Sequence, residues 1–141
     1  MTRKAVLRLL DANANRALEG VRVCEEIVRF HLESSREFRQ LRALRHAIAQ
    51  AVSQLPLSPT QLLQARESRR DIGRRVPASA IRSLEQLLLI NFQRAKESLR
   101  TLEECSRMLA PRQTASFQRL RFRTYEVERD TLLRVAALHH R

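Results

Sequence analysis

Asn13, Arg16, Glu19, Arg22, Glu25 and Glu26 stand three or four residues apart or side by side along one stretch of the chain. The same residue types recur 78 positions later at Asn91, Arg94, Glu97, Arg100, Glu103 and Glu104. Arginine carries a fixed fork of donors that matches phosphate and carboxylate oxygens. Asn and Glu beside it can fix a heteroatom-rich ring. A second concentration of cations is Arg69-Arg70-Asp71-Ile72-Gly73-Arg74-Arg75. Four arginines around Asp-x-Gly could cradle phosphates, with Asp71 holding Mg²⁺ through water. Gly73 is one of only two glycines, so a specific backbone need is expected there. The plain alternative for this stretch is an exposed basic linker.

Helical geometry decides which motif residues are unusual. At 100° per residue from Asn13, the residues Val6, Leu9, Ala17, Gly20, Cys24 and Ile27 lie within about 40° of it, and Arg16 lies roughly 60° to one side. Asn13 and Arg16 therefore interrupt an apolar stripe, and Asn91 and Arg94 do the same beside Ala95, Ser98, Leu99 and Leu102. A buried unpaired Arg is costly, so each is expected to meet an anion. Two partners stay open: a Glu of the chain, as for Arg16 with Glu19, or a bound phosphate. Arg22, Glu25, Arg29, Arg100, Glu103 and Arg107 fall on the far side, where a solvated face laced with salt bridges is expected.

The elements that must position these residues read as helices throughout. The chain has 141 residues, 27 Lys plus Arg against 15 Asp plus Glu, and a net charge of +12. One domain, residues 1–141, is the natural size. Two glycines leave an all-β fold without its turns, and no Gly-rich phosphate loop is present. A first helix is expected over residues 5–32. A second starts at the S-x-x-E pair Ser34 and Glu37 and runs to about Gln54. Ser58-Pro59 opens a short helix to about Arg66. Residues 67–78 read as a loop, Ser79 opens a long helix to Leu109, and a last helix spans about 114–138. Leu44-Arg45-His46 resembles Leu120-Arg121-Phe122 at an offset of 76. The fold class is thus all-α: a bundle of two pseudo-repeated helical hairpins, about 3–54 and 79–138, joined by a short helix and a basic loop over 55–78.

Composition narrows function further. Cys24 and Cys105 sit in apolar helical company and read as reduced packing thiols. The four histidines, His31, His46, His139 and His140, have no metal-ligand spacing. No apolar run reaches membrane-spanning length, and the N-terminus lacks a signal-peptide core. No membrane partner is expected, and the cytoplasm is the expected compartment. The excess of arginine points to an anionic partner.

The two Asn-x-x-Arg-Ala-x-Glu-x-x-Arg-x-x-Glu-Glu copies, the Arg66…Asp71-Ile72-Gly73 loop and Leu120-Arg121-Phe122…Tyr125-Glu126-Val127-Glu128 resemble one small family. It is the monofunctional hydroxymethylpyrimidine phosphate kinase family of thiamin synthesis, often fused to thiamin-phosphate synthase. The resemblance runs from about Leu9 to Glu128, so the chain looks like a free-standing member. Ile90 stands where the family usually has Ala, and Glu67-Ser68 where it usually has Asp-Thr.

The resemblance implies transfer of the ATP γ-phosphoryl to hydroxymethylpyrimidine monophosphate, with Mg²⁺, and refusal of the unphosphorylated pyrimidine. It implies Arg16 and Arg94 as phosphate clamps, with Asn13 and Asn91 orienting substrate or clamp. Glu19 or Glu97 would accept from the pyrimidine amino group, and Arg45 and Arg121 would join substrate binding. Arg66, Arg69, Arg70 and Gly73 would hold the nucleotide, with Asp71 at the metal. Thiamin-phosphate synthase is a candidate partner, and a homo-oligomer is compatible with the sequence. The competing reading is a basic helical module that binds nucleic acid or only builds structure. Arginines beside apolar stripes, one Tyr and no Trp speak against nucleic acid. A second competitor is another small all-α enzyme with Arg-lined anion pockets, of the chorismate mutase kind.

Overall fold

A computed structural model describes residues 2–139. Met1, His140 and Arg141, including one of the four histidines expected to hold no metal, lie outside the described residues. Five α-helices account for most of the chain, and no strand occurs among the described residues. They are α1 (Arg3–Ile27), α2 (Ser35–Ser53), α3 (Pro59–Ala65), α4 (Leu84–Leu109) and α5 (Thr114–His139).

Three of the helices, α1, α3 and α4, begin where a side chain satisfies a free backbone N–H group. Thr2 accepts from the Ala5 N–H at 3.2 Å to open α1. The end of α1 widens into a π-turn, Val28–Leu32, and Glu33 reverses the chain at φ 51°. Ser34 is the N-cap of α2, but its hydroxyl bonds the Glu37 carboxylate and not the backbone, so the expected capping box does not form. Ser58 and Gln61 build a complete capping box on α3, with Pro59 at its first position.

The long helix α4 starts later than Ser79. Ser83 accepts the Gln86 N–H at 3.0 Å, and the Gln86 side chain accepts the Arg82 N–H at 2.8 Å. That reciprocal pair outcompetes Ser79, and no helix forms between Asp71 and Ser83.

Four long helices close a ring: α1 packs on α2 and α4, and α5 packs on the same two. The short α3 lies on α1. Leu10, Val21, Leu41, Leu44, Ile48, Leu88, Phe92, Leu99, Leu102 and Phe117 fill the centre, each nearly or wholly shielded from water. No helix is long and apolar enough to cross a membrane among the described residues.

The α1–α4 crossing is the tightest point. A Cβ on Gly20 would stand 3.0 Å from the Asn91 carbonyl oxygen and 3.4 Å from the Ala95 nitrogen. Glycine is needed there for close approach of two backbones. Ala17 and Ala95, which the 78-residue offset equates, are both fully buried. The two motif copies therefore sit on the two helices of one crossing.

Candidate functional site

The first motif copy faces the basic loop. Along one flank of α1 runs a groove of about 480 Å³ lined by Arg8, Asn13, Arg16, Arg70, Asp71 and Ile72, among others. A second recess of about 320 Å³ continues it, sharing Arg8, Arg16 and Asp71 and adding Asp11, Glu19 and Arg66. Sequence-expected residues of motif and loop thus meet in one place: Asn13, Arg16, Glu19, Arg66, Arg70 and Asp71.

The loop is tied to α1 at two points. Arg66 Nε and Nη2 each donate to a carboxylate oxygen of Asp11 at 2.7 Å. The Asp11 carboxylate holds the Arg66 guanidinium above its ordinary pKa. Glu67 receives Lys4, and its backbone carbonyl accepts from Arg8 at 3.0 Å. The Lys4 ammonium, chiefly through its hydrogen bond, holds the Glu67 carboxyl below its usual range. Lys4, Arg8 and Asp11 are three or four residues apart, so one side of α1 presents all three. Asp11, Lys4 and Arg8 were not singled out in the sequence; their spacing toward Arg16 on α1 was the available signal.

Arg16 is the first point where the structure differs from the helical-wheel reading. Its side chain is exposed in the groove and makes no hydrogen bond or ion pair among the described residues. The groove, not the core, lies under that part of the stripe. Asn13 is buried, and its Nδ2 donates to the Leu9 carbonyl at 2.9 Å. That leaves its Oδ1 free of protein partners among the described residues. Arg94 is likewise exposed, while Asn91 is buried and donates to Leu87 at 2.9 Å. Glu19 is exposed, and Glu97 accepts from Gln93 at 2.9 Å. Asn91, Arg94 and Glu97 do not line the α1 groove; no loop covers them as the Arg66–Ile72 segment covers the first copy.

The far side of the wheel is the second difference. Glu25 and Glu103 are not on a solvated face: they are 2% and 6% exposed. Arg45 Nε and Nη2 donate to Glu25 at 2.6 and 3.2 Å. Arg121 Nε and Nη2 donate to Glu103 at 3.0 and 3.3 Å. Each pair clamps one hairpin, α1 to α2 and α4 to α5. The reason is that α1 packs on three other helices, so its buried arc is far wider than a single stripe. Arg22, Arg100 and Arg107 do form the expected exposed pairs, with Glu26 and Glu104. Arg45 and Arg121 are committed to protein carboxylates and stand outside the groove.

In the loop, Gly73 N–H donates to Asp71 Oδ1 at 2.8 Å. Gly73 does not adopt positive φ; its only tight neighbour is that carboxylate, 3.3 Å from where a Cβ would stand. Arg69, Arg70, Arg74 and Arg75 are exposed. Among the described residues, no group of three or more His, Cys, Asp or Glu could hold a metal ion. Asp71 offers one carboxylate oxygen free of hydrogen bonds among the described residues. That suits an ion brought by a phosphate ligand and not a protein cage.

The all-α bundle thus carries an arginine-lined groove flanked by a tethered basic loop, with donors that match phosphate or carboxylate oxygens. The ThiD2 family profile matches residues 8–130, and the chain belongs to that family. Over 127 residues it is 37% identical to a thiamine-phosphate synthase of Synechocystis sp., covering 88% of this chain and 35% of that protein. It is 33% identical over 141 residues to a thiamine-phosphate synthase of Rhodopirellula baltica, covering 98% of this chain and 37% of that one. A thiamine-phosphate synthase of Gloeobacter violaceus is 34% identical over 128 residues, 89% of this chain and 36% of the other. The chain spans about a third of the length of these relatives. No solved structure matches it.

Proposed function

We propose that the protein acts in thiamin biosynthesis by transferring the γ-phosphoryl of ATP to hydroxymethylpyrimidine monophosphate, giving the diphosphate and ADP. The observation that carries this is the α1 groove. In it Arg16 has no protein anion, beside a loop that adds Arg70 and Asp71. Family membership and the names of the relatives support the pathway.

The chemistry suits the residues. The acceptor is a phosphate oxygen whose second pKa is about 6, so it is largely dianionic at neutral pH and needs no strong general base. An acceptor oxygen forms a bond to the γ-phosphorus as the bond to the ADP oxygen breaks. The work left to the protein is to bring two polyanions into line and neutralise them. Arg16 takes the transferring phosphates, with Arg8 and Arg70 beside it. Asn13 Oδ1 and Glu19 orient the pyrimidine. Arg66 acts by fixing the loop on Asp11, and Arg69 and Gly73 shape the nucleotide side. Asp71 would supply one ligand to Mg²⁺ bound with ATP, and that ion would neutralise phosphate charge. Asn91, Arg94 and Glu97 lie outside the α1 groove, and this reading gives them no part in the transfer. An acceptor without phosphate would lack the charge-assisted contacts to Arg16, Arg8 and Arg70, and so it is refused. A thiamine-phosphate synthase is the partner this reading favours, in the cytoplasm.

The test is ADP release with Mg²⁺ and either hydroxymethylpyrimidine or its monophosphate as acceptor. Turnover with the monophosphate alone is expected; turnover with neither acceptor, or equally with both, contradicts the reading.

A further inference from the structure

A second cleft lies between α2 and α5 and shares no residue with the α1 groove. It encloses about 360 Å³, and its polar residues are Gln50, Gln54, Ser116, Arg119 and Arg123. No carboxylate lines it. Arg119 and Arg123 stand one turn apart on α5, so their Cβ atoms are about 5–6 Å apart. Neither makes an ion pair among the described residues, although Arg119 donates to Ser116 Oγ at 3.3 Å. Arg22, Arg100 and Arg107 each pair with a glutamate three or four residues away on their own helix, whereas Arg123 makes no such pair among the described residues, even with Glu126 three residues along. Across the cleft, Gln50 and Gln54 are also one turn apart, and their side-chain amides make no hydrogen bond among the described residues.

Ala47, Ala51 and Leu120 complete the lining. Two alanines on α2 leave an apolar recess where larger side chains would fill the gap. The cleft therefore combines two unneutralised guanidinium forks, hydrogen-bonding amides and an apolar wall, the usual make-up of a small-molecule site. We propose that the α2–α5 cleft binds a small phosphate ester carrying a flat base. Arg119 and Arg123 grip the phosphate, and the base lies against Ala47, Ala51 and Leu120 with its edge toward Gln50 and Gln54. The site is separate from the proposed transfer groove, and the proposal does not rest on that reading.

The probe is adenosine 5′-monophosphate, titrated calorimetrically into the full chain, with inorganic phosphate as the comparison arm. Affinity for the nucleotide should fall at least about tenfold in an R119Q/R123Q variant, two charge-assisted contacts being lost. The thermal midpoint of that variant checks that it folds, and single R119Q and R123Q variants, each losing part of the affinity, provide the same test if it does not. An R16A variant, which disables the α1 groove, should still bind the nucleotide. Equal binding by wild type and the arginine variants overturns the proposal. So does loss of all binding in R16A, or nucleotide binding no tighter than phosphate. Binding of a short single-stranded RNA that falls in R119Q/R123Q, with none of the mononucleotide, would assign the cleft to nucleic acid and overturn it also.

Discussion

Arg66 grips Asp11 through two parallel hydrogen bonds of 2.7 Å, joining residues 55 positions apart. The pair fixes the start of the basic loop against the helix that carries Asn13 and Arg16. Replacing Asp11 with Asn keeps the volume and removes the charge. On the proposed phosphoryl transfer, the KM for ATP should rise about tenfold with a smaller change in kcat, since the loop that would position the nucleotide is loosened. Trypsin should also cut faster at Arg69 and Arg70. An unchanged KM would show that the anchor does not serve the groove.

The Arg45–Glu25 and Arg121–Glu103 pairs make matching clamps in the two hairpins. Truncating either Arg to Ala leaves a nearly buried carboxylate without its partner. Loss of one partner of a fully buried pair costs about 3–5 kcal/mol, and with Arg45 22% exposed a cost of about 1–3 kcal/mol is expected for each variant. The pairs hold different helices together, so the double variant should be additive within about 0.5 kcal/mol. Urea unfolding reads both. Charge-neutral behaviour in either single variant would return that Arg to the list of substrate contacts.

Much of the fold was legible in periodicity and punctuation. Ser58-Pro59 marked α3, and Pro111 fell just beyond α4. The start of α4 was not, because Ser79 and Ser83 compete and only Gln86, by folding back on Arg82 and Ser83, decides between them. At the site, the residue types were visible and their environments were not. A single-stripe wheel buried Arg16 and exposed Glu25, and the structure does the reverse. Which arc of α1 is covered depends on α2, α3 and α4 together. The meeting of Asn13, Arg16 and the Asp71 loop on one flank needed tertiary structure too, since Lys4, Arg8 and Asp11 bring the loop there.

The Lys4–Glu67 tether predicts an acid response of the loop. Glu67 titrates below its ordinary 4.5 in the folded chain. A depressed carboxyl contributes stability present above the unfolded value and lost as pH falls through the folded one. Protease sensitivity at Arg69 and Arg70 should therefore be constant from pH 7 to about 5 and rise below about 4.5. Hydrogen exchange of the loop amides can follow it below the range in which trypsin works. A loop equally protected below that range would remove the tether from the account.

The thiols differ in a way that labelling can read. Cys24 is fully buried, with Sγ 3.6 Å from the Leu88 carbonyl, and burial drives its pKa far up. Cys105 is raised as well, chiefly by burial, but lines an open cleft with Val6, Leu9 and Met108. A maleimide should modify Cys105 slowly in the native protein and Cys24 only on unfolding. Equal native rates would contradict the packing at the α1–α4 seam.

The proposed phosphoryl transfer depends on Arg16 above the other arginines, because it faces the groove with no protein anion. The direct measurement is steady-state ADP release with hydroxymethylpyrimidine monophosphate, ATP and Mg²⁺, comparing wild type with Arg16→Ala. Removing a preorganised positive charge from the transferring phosphates should lower kcat about 100-fold or more, with the thermal midpoint preserved because the side chain is exposed. A wild type that turns over and an Arg16→Ala variant that matches it would place the chemistry somewhere other than the α1 groove.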